Sequence, residues 1–174
     1  MSRFVIICAL SLITLPAMAQ QKGPSWGVML GSSNYSDASN YSADMTTITG
    51  RAIYNINSWL GTEGRLAYGD SGSSNGVSVG INWLTGGYLK ASWEIIDRLN
   101  VTAYGGYTAL DITAKTAGGT SSVTDDGFSV GLSLDFYADS SSGLNIEFMR
   151  YIDSVAYGAD YKLDHIGIGY FQRF

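Results

Sequence analysis

The chain has 174 residues, with 10 Lys and Arg against 15 Asp and Glu, a formal net charge of −5 and a single cysteine. That length suits one domain and argues against two, and the acidic balance argues against a nucleic-acid partner. Charged residues are only 14%, while 22 Gly accompany 12 Tyr and 4 Trp, a mixture that favours strands over helices.

The N-terminal segment stands apart. Arg3, an apolar stretch from Phe4 to Leu15 and Ala17-Met18-Ala19 predict a cleaved signal peptide over residues 1–19, leaving 20–174 as one domain. The apolar stretch is too short for a membrane helix, which needs about 20 residues. Cys8 falls inside it, so the mature chain is expected to carry no thiol, disulfide or cysteine metal site.

From Trp26 onward the pattern has a period of two. Trp26, Val28 and Leu30 alternate with Gly27, Met29 and Gly31, and Asn34 to Asp44 reads as a polar loop. A second strand sets Ile48, Gly50, Ala52, Tyr54 and Ile56 against Thr47, Thr49, Arg51 and Ile53, before a tight turn at Asn57-Ser58. The third sets Leu60, Thr62, Leu66 and Tyr68 against Glu63, Arg65 and Ala67, and Asp70 to Asn75 reads as a loop.

In the fourth, Val77, Val79, Ile81 and Trp83 alternate, then Leu89, Ala91, Trp93 and Ile95. One long strand with a bulge at Thr85-Gly86-Gly87 keeps the total at eight; a hairpin turn there would make it odd, whereas single-chain bacterial outer-membrane barrels have even numbers. Ile96-Asp97-Arg98 turns into a fifth strand with Leu99, Val101, Ala103, Gly105 and Tyr107 on its apolar face. Asp111 to Asp126 reads as the longest loop.

The sixth strand has the clearest dyad, Phe128, Val130, Leu132, Leu134 and Phe136 against Ser129, Gly131, Ser133 and Asp135. Ala138 to Gly143 turns into Leu144, Ile146 and Phe148, alternating with Asn145, Glu147 and Met149. Asp153 to Asp160 is the last loop, and Ile166, Ile168 and Tyr170 close the chain opposite His165, Gly167, Gly169 and Phe171. Short turns alternate with longer polar connections, the arrangement of an eight-stranded antiparallel up-and-down transmembrane β-barrel with both termini on the short-turn, periplasmic side.

Sorting charge by face separates this reading from a soluble sandwich or a lipocalin-like barrel, in which the apolar face would point inward. Arg51, Glu63, Arg65, Lys90, Glu94, Asp135, Glu147 and Arg173 all fall on the face opposite the apolar one, four cations and four anions. Eight strands enclose a lumen just wide enough for side chains, which predicts a plug of salt bridges rather than a proton or ion path. Trp26, Trp59, Trp83, Trp93, Tyr68 and Phe136 lie near strand ends, as interfacial rings do, although strict alternation turns Trp59 inward. Arg150 falls on the outward face near a rim, within reach of headgroup phosphates.

The final strand, His165-Ile-Gly-Ile-Gly-Tyr-Phe-Gln-Arg-Phe174, resembles the small outer-membrane barrels of the OmpA-like and OmpX/Ail type. The stretch from Gly127 through Arg150 resembles the last hairpin of that family. The resemblance implies that Ile166, Ile168, Tyr170 and Phe174, which share one face, form the C-terminal signal read by the barrel-assembly machinery. Gln172 stands where the family usually has an aromatic. The resemblance further implies residence in a Gram-negative outer membrane, contact with its lipids and lipopolysaccharide, and a function carried by extracellular loops.

Those loops are acidic: Asp37, Asp44, Asp70, Asp111, Asp125, Asp126, Asp153 and Asp160 against Lys115 and Lys162. Such a rim suits divalent cations or a basic surface ligand. The expected role is that of a non-enzymatic envelope-structural or adhesin-like protein, with a small porin-like channel as the alternative. A lipid A modifying enzyme is weaker still. His165 is the single histidine, near Asp164, Asp160 and Ser154, and no His-x-Ser pair is present. No cofactor or metal is expected, since Asp125-Asp126 alone offers too few oxygens for calcium and the Gly-x-Gly spacings fall within strands.

Overall fold

The computed structural model describes residues 22–38, 41–74, 76–156 and 159–174, without the side chains of 153–156 and 159–160. The signal peptide expected over residues 1–19, with Cys8, lies outside the described residues. Every regular element described is a strand: β1 (Gly23–Asp37), β2 (Ser42–Asn55), β3 (Leu60–Gly69), β4 (Ser71–Ser74), β5 (Val77–Ile96), β6 (Leu99–Thr116), β7 (Gly119–Tyr137), β8 (Ser142–Ala156) and β9 (Ala159–Arg173).

Sequence-adjacent strands pair antiparallel except β3 with β4, which both pair with β5, and β1 pairs with β9. β3 and β4 are one stave interrupted at Asp70, whose carboxylate accepts the Thr46 N–H at 2.6 Å while its own N–H donates to the Thr46 carbonyl at 2.9 Å. The result is a closed eight-stranded antiparallel barrel. Closure leaves no edge whose N–H and C=O groups would face lipid unpaired.

The dyad pattern sorts as expected on most staves. Val28, Ile48, Leu66, Leu132 and Phe148 point outward and exposed, while Met29, Thr49, Glu63, Ser133 and Asn145 on the same staves are buried. On β5, Trp83 and Trp93 are both outward and ten residues apart. At about 3.3 Å per residue and a tilt of about 40°, they stand about 25 Å apart in height, the height of an outer-membrane apolar band. Tyr68, Tyr107 and Phe128 are exposed towards the same end of the barrel as Trp83, and Trp26, Tyr54 and Phe136 towards the end of Trp93.

Three expectations need correction. The segment 77–96 is one long strand, but its bulge lies between Ile81 and Trp83 and not at Thr85-Gly86-Gly87. The extra residue there reverses the pleat, so Val79 and Ile81 point into the barrel together with Leu84, while Trp83 points out. Second, Trp59 faces outward, because it belongs to the turn from Ile56 to Trp59 and strand alternation does not reach it.

Third, the polar connections at the other end are mostly strand. β6 continues to Thr116 and β7 begins at Gly119, so the supposed longest loop is a ladder closed by Ala117-Gly118; β1 and β2, and β8 and β9, extend likewise into their supposed loops. Ser and Thr dominate there because water bathes both faces. Rungs such as Thr113 Oγ1 to Ser122 Oγ at 2.8 Å and Thr124 Oγ1 to Asp111 at 3.0 Å replace apolar cross-strand pairs.

The opposite end carries tight turns. Asp97-Arg98 is one, with Arg98 at φ 68°, and 138–141 is another. In the latter, the N–H and hydroxyl groups of Ser141 and of Ser142 surround the Asp139 carboxyl and hold it down at about 2.

A second bulge, between Arg150 and Ile152, turns both Tyr151 and Ile152 inward. With Met45, Ile81, Leu84, Leu110, Met149 and Leu163 they build an apolar cluster that fills the long-hairpin half of the lumen. Because Leu84 sits at its centre at 1% exposure, Leu84→Ala is expected to lower the stability of the folded barrel to urea by about 2–5 kcal/mol. Tryptophan fluorescence in detergent micelles measures this, and an unchanged midpoint would place Leu84 outside the packed lumen.

Candidate functional site

The lumen below that cluster is built from charge. β2 and β3 pair so that Arg51 stands directly opposite Arg65, an arrangement that repels unless an anion lies between them. Glu63, two residues before Arg65 on the same inward face, supplies it. Its carboxylate accepts Arg51 Nε at 2.7 Å and Nη2 at 2.8 Å, and Arg65 Nε at 2.6 Å. Arg65 then donates both terminal nitrogens to Glu147 of β8, with Nη2 at 2.8 Å, and Arg51 Nη2 approaches the same carboxylate at 3.9 Å.

Four charges thus close a ring across the barrel, with side chains 0–3% exposed. Tyrosines complete the coordination. Tyr104 accepts from Arg51 at 3.0 Å and Tyr151 from Arg65 at 3.3 Å, and the Arg65 guanidinium lies 4.8 Å and 4.9 Å from the Tyr88 and Tyr104 ring centres. Buried charge needs such saturation, since each unpaired ion costs several kcal/mol.

The eight charges expected in the lumen therefore divide. Arg51, Glu63, Arg65 and Glu147 meet. Lys90 of β5, Asp135 of β7 and Arg173 of β9 line a separate cavity nearer the short turns. There Asp135 accepts Thr102 Oγ1 at 2.6 Å and Ser133 Oγ at 2.8 Å, and the Arg173 guanidinium stacks 4.4 Å from the Tyr137 ring centre. Glu94 is half-buried beside the β5–β6 turn, four residues beyond Lys90 and about 13 Å along the strand, so it does not belong to the inner set.

His165 is buried. Its Nδ1 lies 3.0 Å from Ser33 Oγ and 3.3 Å from Thr47 Oγ1, and its Nε2 lies 3.4 Å from Met29 Sδ. A side chain at Gly31 would collide with the imidazole, so glycine is required where β1 passes it. Asp164, the neighbour considered for orienting this histidine, points the other way, where it forms a two-point pair with Arg150 at 2.7 Å and 2.9 Å. Consecutive strand residues face opposite sides, which separates His165 from Asp164 whatever their closeness in sequence. The side chains of Ser154 and Asp160 lie outside the described residues.

The tyrosine partners and the Ser33–His165 contact went unassigned in the sequence, because both depend on which staves face each other across the lumen. Ile166, Ile168 and Tyr170 of the C-terminal stretch are outward on β9, and Phe174 is exposed beyond it. Gln172 pairs in register with Trp26, whose ring packs edge-on against Tyr170 at 6.0 Å.

Neutralising Glu63 leaves two facing guanidinium groups without their shared anion. Glu63→Gln is therefore expected to cost about 3–5 kcal/mol, and Glu94→Gln, half-buried at the rim, markedly less. Urea unfolding of the two variants side by side checks this, and equal losses would refute the ring as the lumen's main bond.

The backbone resembles three solved outer-membrane barrels. Neisserial surface protein A (NspA) is 14% identical, with 90% of this chain and 99% of that chain covered and a TM-score of 0.74. Ail of Yersinia pestis, solved with the heparin analogue sucrose octasulfate, is 13% identical, with 87% and 99% covered and a TM-score of 0.60. The N-terminal β-barrel domain of Pseudomonas aeruginosa OprF is 12% identical, with 87% and 99% covered and a TM-score of 0.59. At these identities the likeness is one of fold. No curated protein matches the chain in sequence. Residues 5–174 match the outer membrane protein beta-barrel domain, and the chain belongs to that family.

Proposed function

We propose that this protein is a non-conducting, non-enzymatic outer-membrane barrel that acts at the cell surface through its long hairpins. One observation carries the reading. The lumen is obstructed twice in succession, by the Arg51–Glu63–Arg65–Glu147 ring and by the apolar cluster around Leu84, Leu110 and Leu163. An ion crossing it would have to break saturated ion pairs and then displace close-packed, mostly apolar side chains.

The outward face of aromatic and aliphatic residues suits lipid, with Arg150 and Asp164 at the edge of that band near lipopolysaccharide headgroups. Residues 1–19 act as an export signal, and Ile166, Ile168, Tyr170 and Phe174 present the lipid-facing stripe that assembly machinery reads. The β6–β7 ladder supports a surface role. Beyond the Tyr107–Phe128 pair it continues for nine further pairs to Thr116–Gly119, about 30 Å of rigid sheet along the strand.

Its chemistry also bears on the partner. Asp37, Asp44, Asp70, Asp111, Asp125 and Asp126 dominate the hairpin region. Ail is described with a polyanionic heparin analogue, whereas an acidic rim repels such a ligand and favours a basic one.

Planar-bilayer recording of the purified barrel, its folding checked by the gel-mobility difference between boiled and unboiled samples, is expected to show no conductance steps. Steady, reproducible steps would refute the sealed lumen. Separately, cells displaying the protein are expected to adhere to a polylysine surface more than to a heparin surface, with adhesion falling as salt rises. The reverse preference would refute the basic partner.

A further inference from the structure

A groove on the lipid-facing side of β2, β3 and β5 interrupts the otherwise bulky exterior. It has a volume of about 750 Å³, with Gly50 and Ala52 of β2 and Gly64 of β3 as its floor and Leu66, Tyr68 and Trp83 standing around it. Glycines of the lumen such as Gly131 and Gly167 are forced, because a side chain there would collide with Met149 or Met29. The floor glycines are not. Neither has a positive φ, and a methyl group on Gly64 would meet no neighbour within 4 Å, one on Gly50 only the Leu66 carbonyl oxygen at 3.8 Å. Glycine weakens a strand, and where the fold itself does not require it, it marks close approach by something from outside.

At this depth the occupant must be hydrocarbon, since a void in lipid forfeits the contacts of its whole lining. What distinguishes an acyl chain from a second barrel is the region above. Tyr68 also lines a second outward pocket, of about 260 Å³, on the long-hairpin side of the Tyr68 and Trp83 rings. Its charged residues are Asp70 and Lys115, one of each sign. Asp70 is fixed by the Thr46 N–H at 2.6 Å on one carboxylate oxygen, and Lys115 stands two staves away on β6, about 10 Å across the sheet. An apolar groove that leads into a polar pocket with balanced charge matches one amphiphile whose head carries both a cation and an anion. We propose that this face holds one zwitterionic phospholipid of the ethanolamine type, with an acyl chain lying on Gly50, Ala52 and Gly64, its phosphate at Lys115 and its ammonium at Asp70. A purely anionic head offers Asp70 no counterpart.

Protein expressed from the whole chain, extracted from membranes and purified in a neutral detergent, is offered phosphatidylethanolamine and phosphatidylglycerol with the same acyl chains, and retained lipid is counted by native mass spectrometry. One phosphatidylethanolamine per barrel is expected to be retained, at about ten times the occupancy of phosphatidylglycerol. Gly64→Leu, which fills the floor, is expected to lower retention about tenfold. Asp70→Asn keeps an oxygen for the Thr46 N–H but removes the charge, and is expected to turn the preference towards phosphatidylglycerol through Lys115. Equal retention of the two lipids by the parent would overturn the headgroup assignment, and undiminished retention by Gly64→Leu would overturn the groove. A dimer mass in place of the lipid adduct, abolished by Gly64→Leu, would overturn both in favour of a second copy. Should Gly64→Leu not reach the folded gel mobility, Ala52→Leu fills the same floor, and Asp70→Asn tests the head independently.

Discussion

Hydrocarbon offers no hydrogen-bond partner, so a chain that crosses it as strands must pair every backbone N–H and C=O within itself. The β1–β9 and β3–β5 ladders meet this demand by closing the sheet, and closure at eight staves fixes the bore. A bore of that width cannot hold a water column of any breadth, so the inward side chains must pack against one another. The character of the interior follows from that necessity.

The interior is packed in three zones stacked along the axis. Apolar side chains fill the long-hairpin half, a saturated ring of two arginines and two glutamates spans the middle, and a small polar vestibule opens at the short turns. The ring is not a simple gain in stability, because desolvating four ions costs a large part of what their attraction returns. Its geometric effect is more distinctive. Glu63 and Glu147 bind staves that lie across the lumen, where no backbone bond can reach, and Tyr88, Tyr104 and Tyr151 fix the guanidinium planes. The two bulges serve the same packing, each turning an extra apolar side chain inward at the level where the cluster needs volume.

Outside the band, the same antiparallel ladder persists without lipid. Ser and Thr rungs hold the β6–β7 hairpin as sheet far beyond the aromatic girdle, so acidic residues such as Asp111 and Asp126 are carried on a stiff frame. Among barrels of one fold and very low identity, what differs is the chemistry of this frame, and the fold itself is silent about the partner.

The dyad alternation determined from sequence alone that the chain is a strand barrel with an apolar exterior, because lipid on one face and a packed lumen on the other demand opposite residues at every step. It also determined which charges point inward, as Glu63, Arg65, Asp135 and Glu147 illustrate. Alternation says nothing about where one residue is inserted, so the bulge after Ile81 reversed the faces of Val79 and Ile81, and the turn before Leu60 released Trp59. Polarity could not separate a loop from a wetted ladder, since Ser- and Thr-rich sequence suits both. Which inward charges meet was decided by the tertiary structure, because the stagger between staves sets the height of each side chain. Glu147 reaches Arg65 across the lumen, while Glu94, equally inward by its period, ends at the rim.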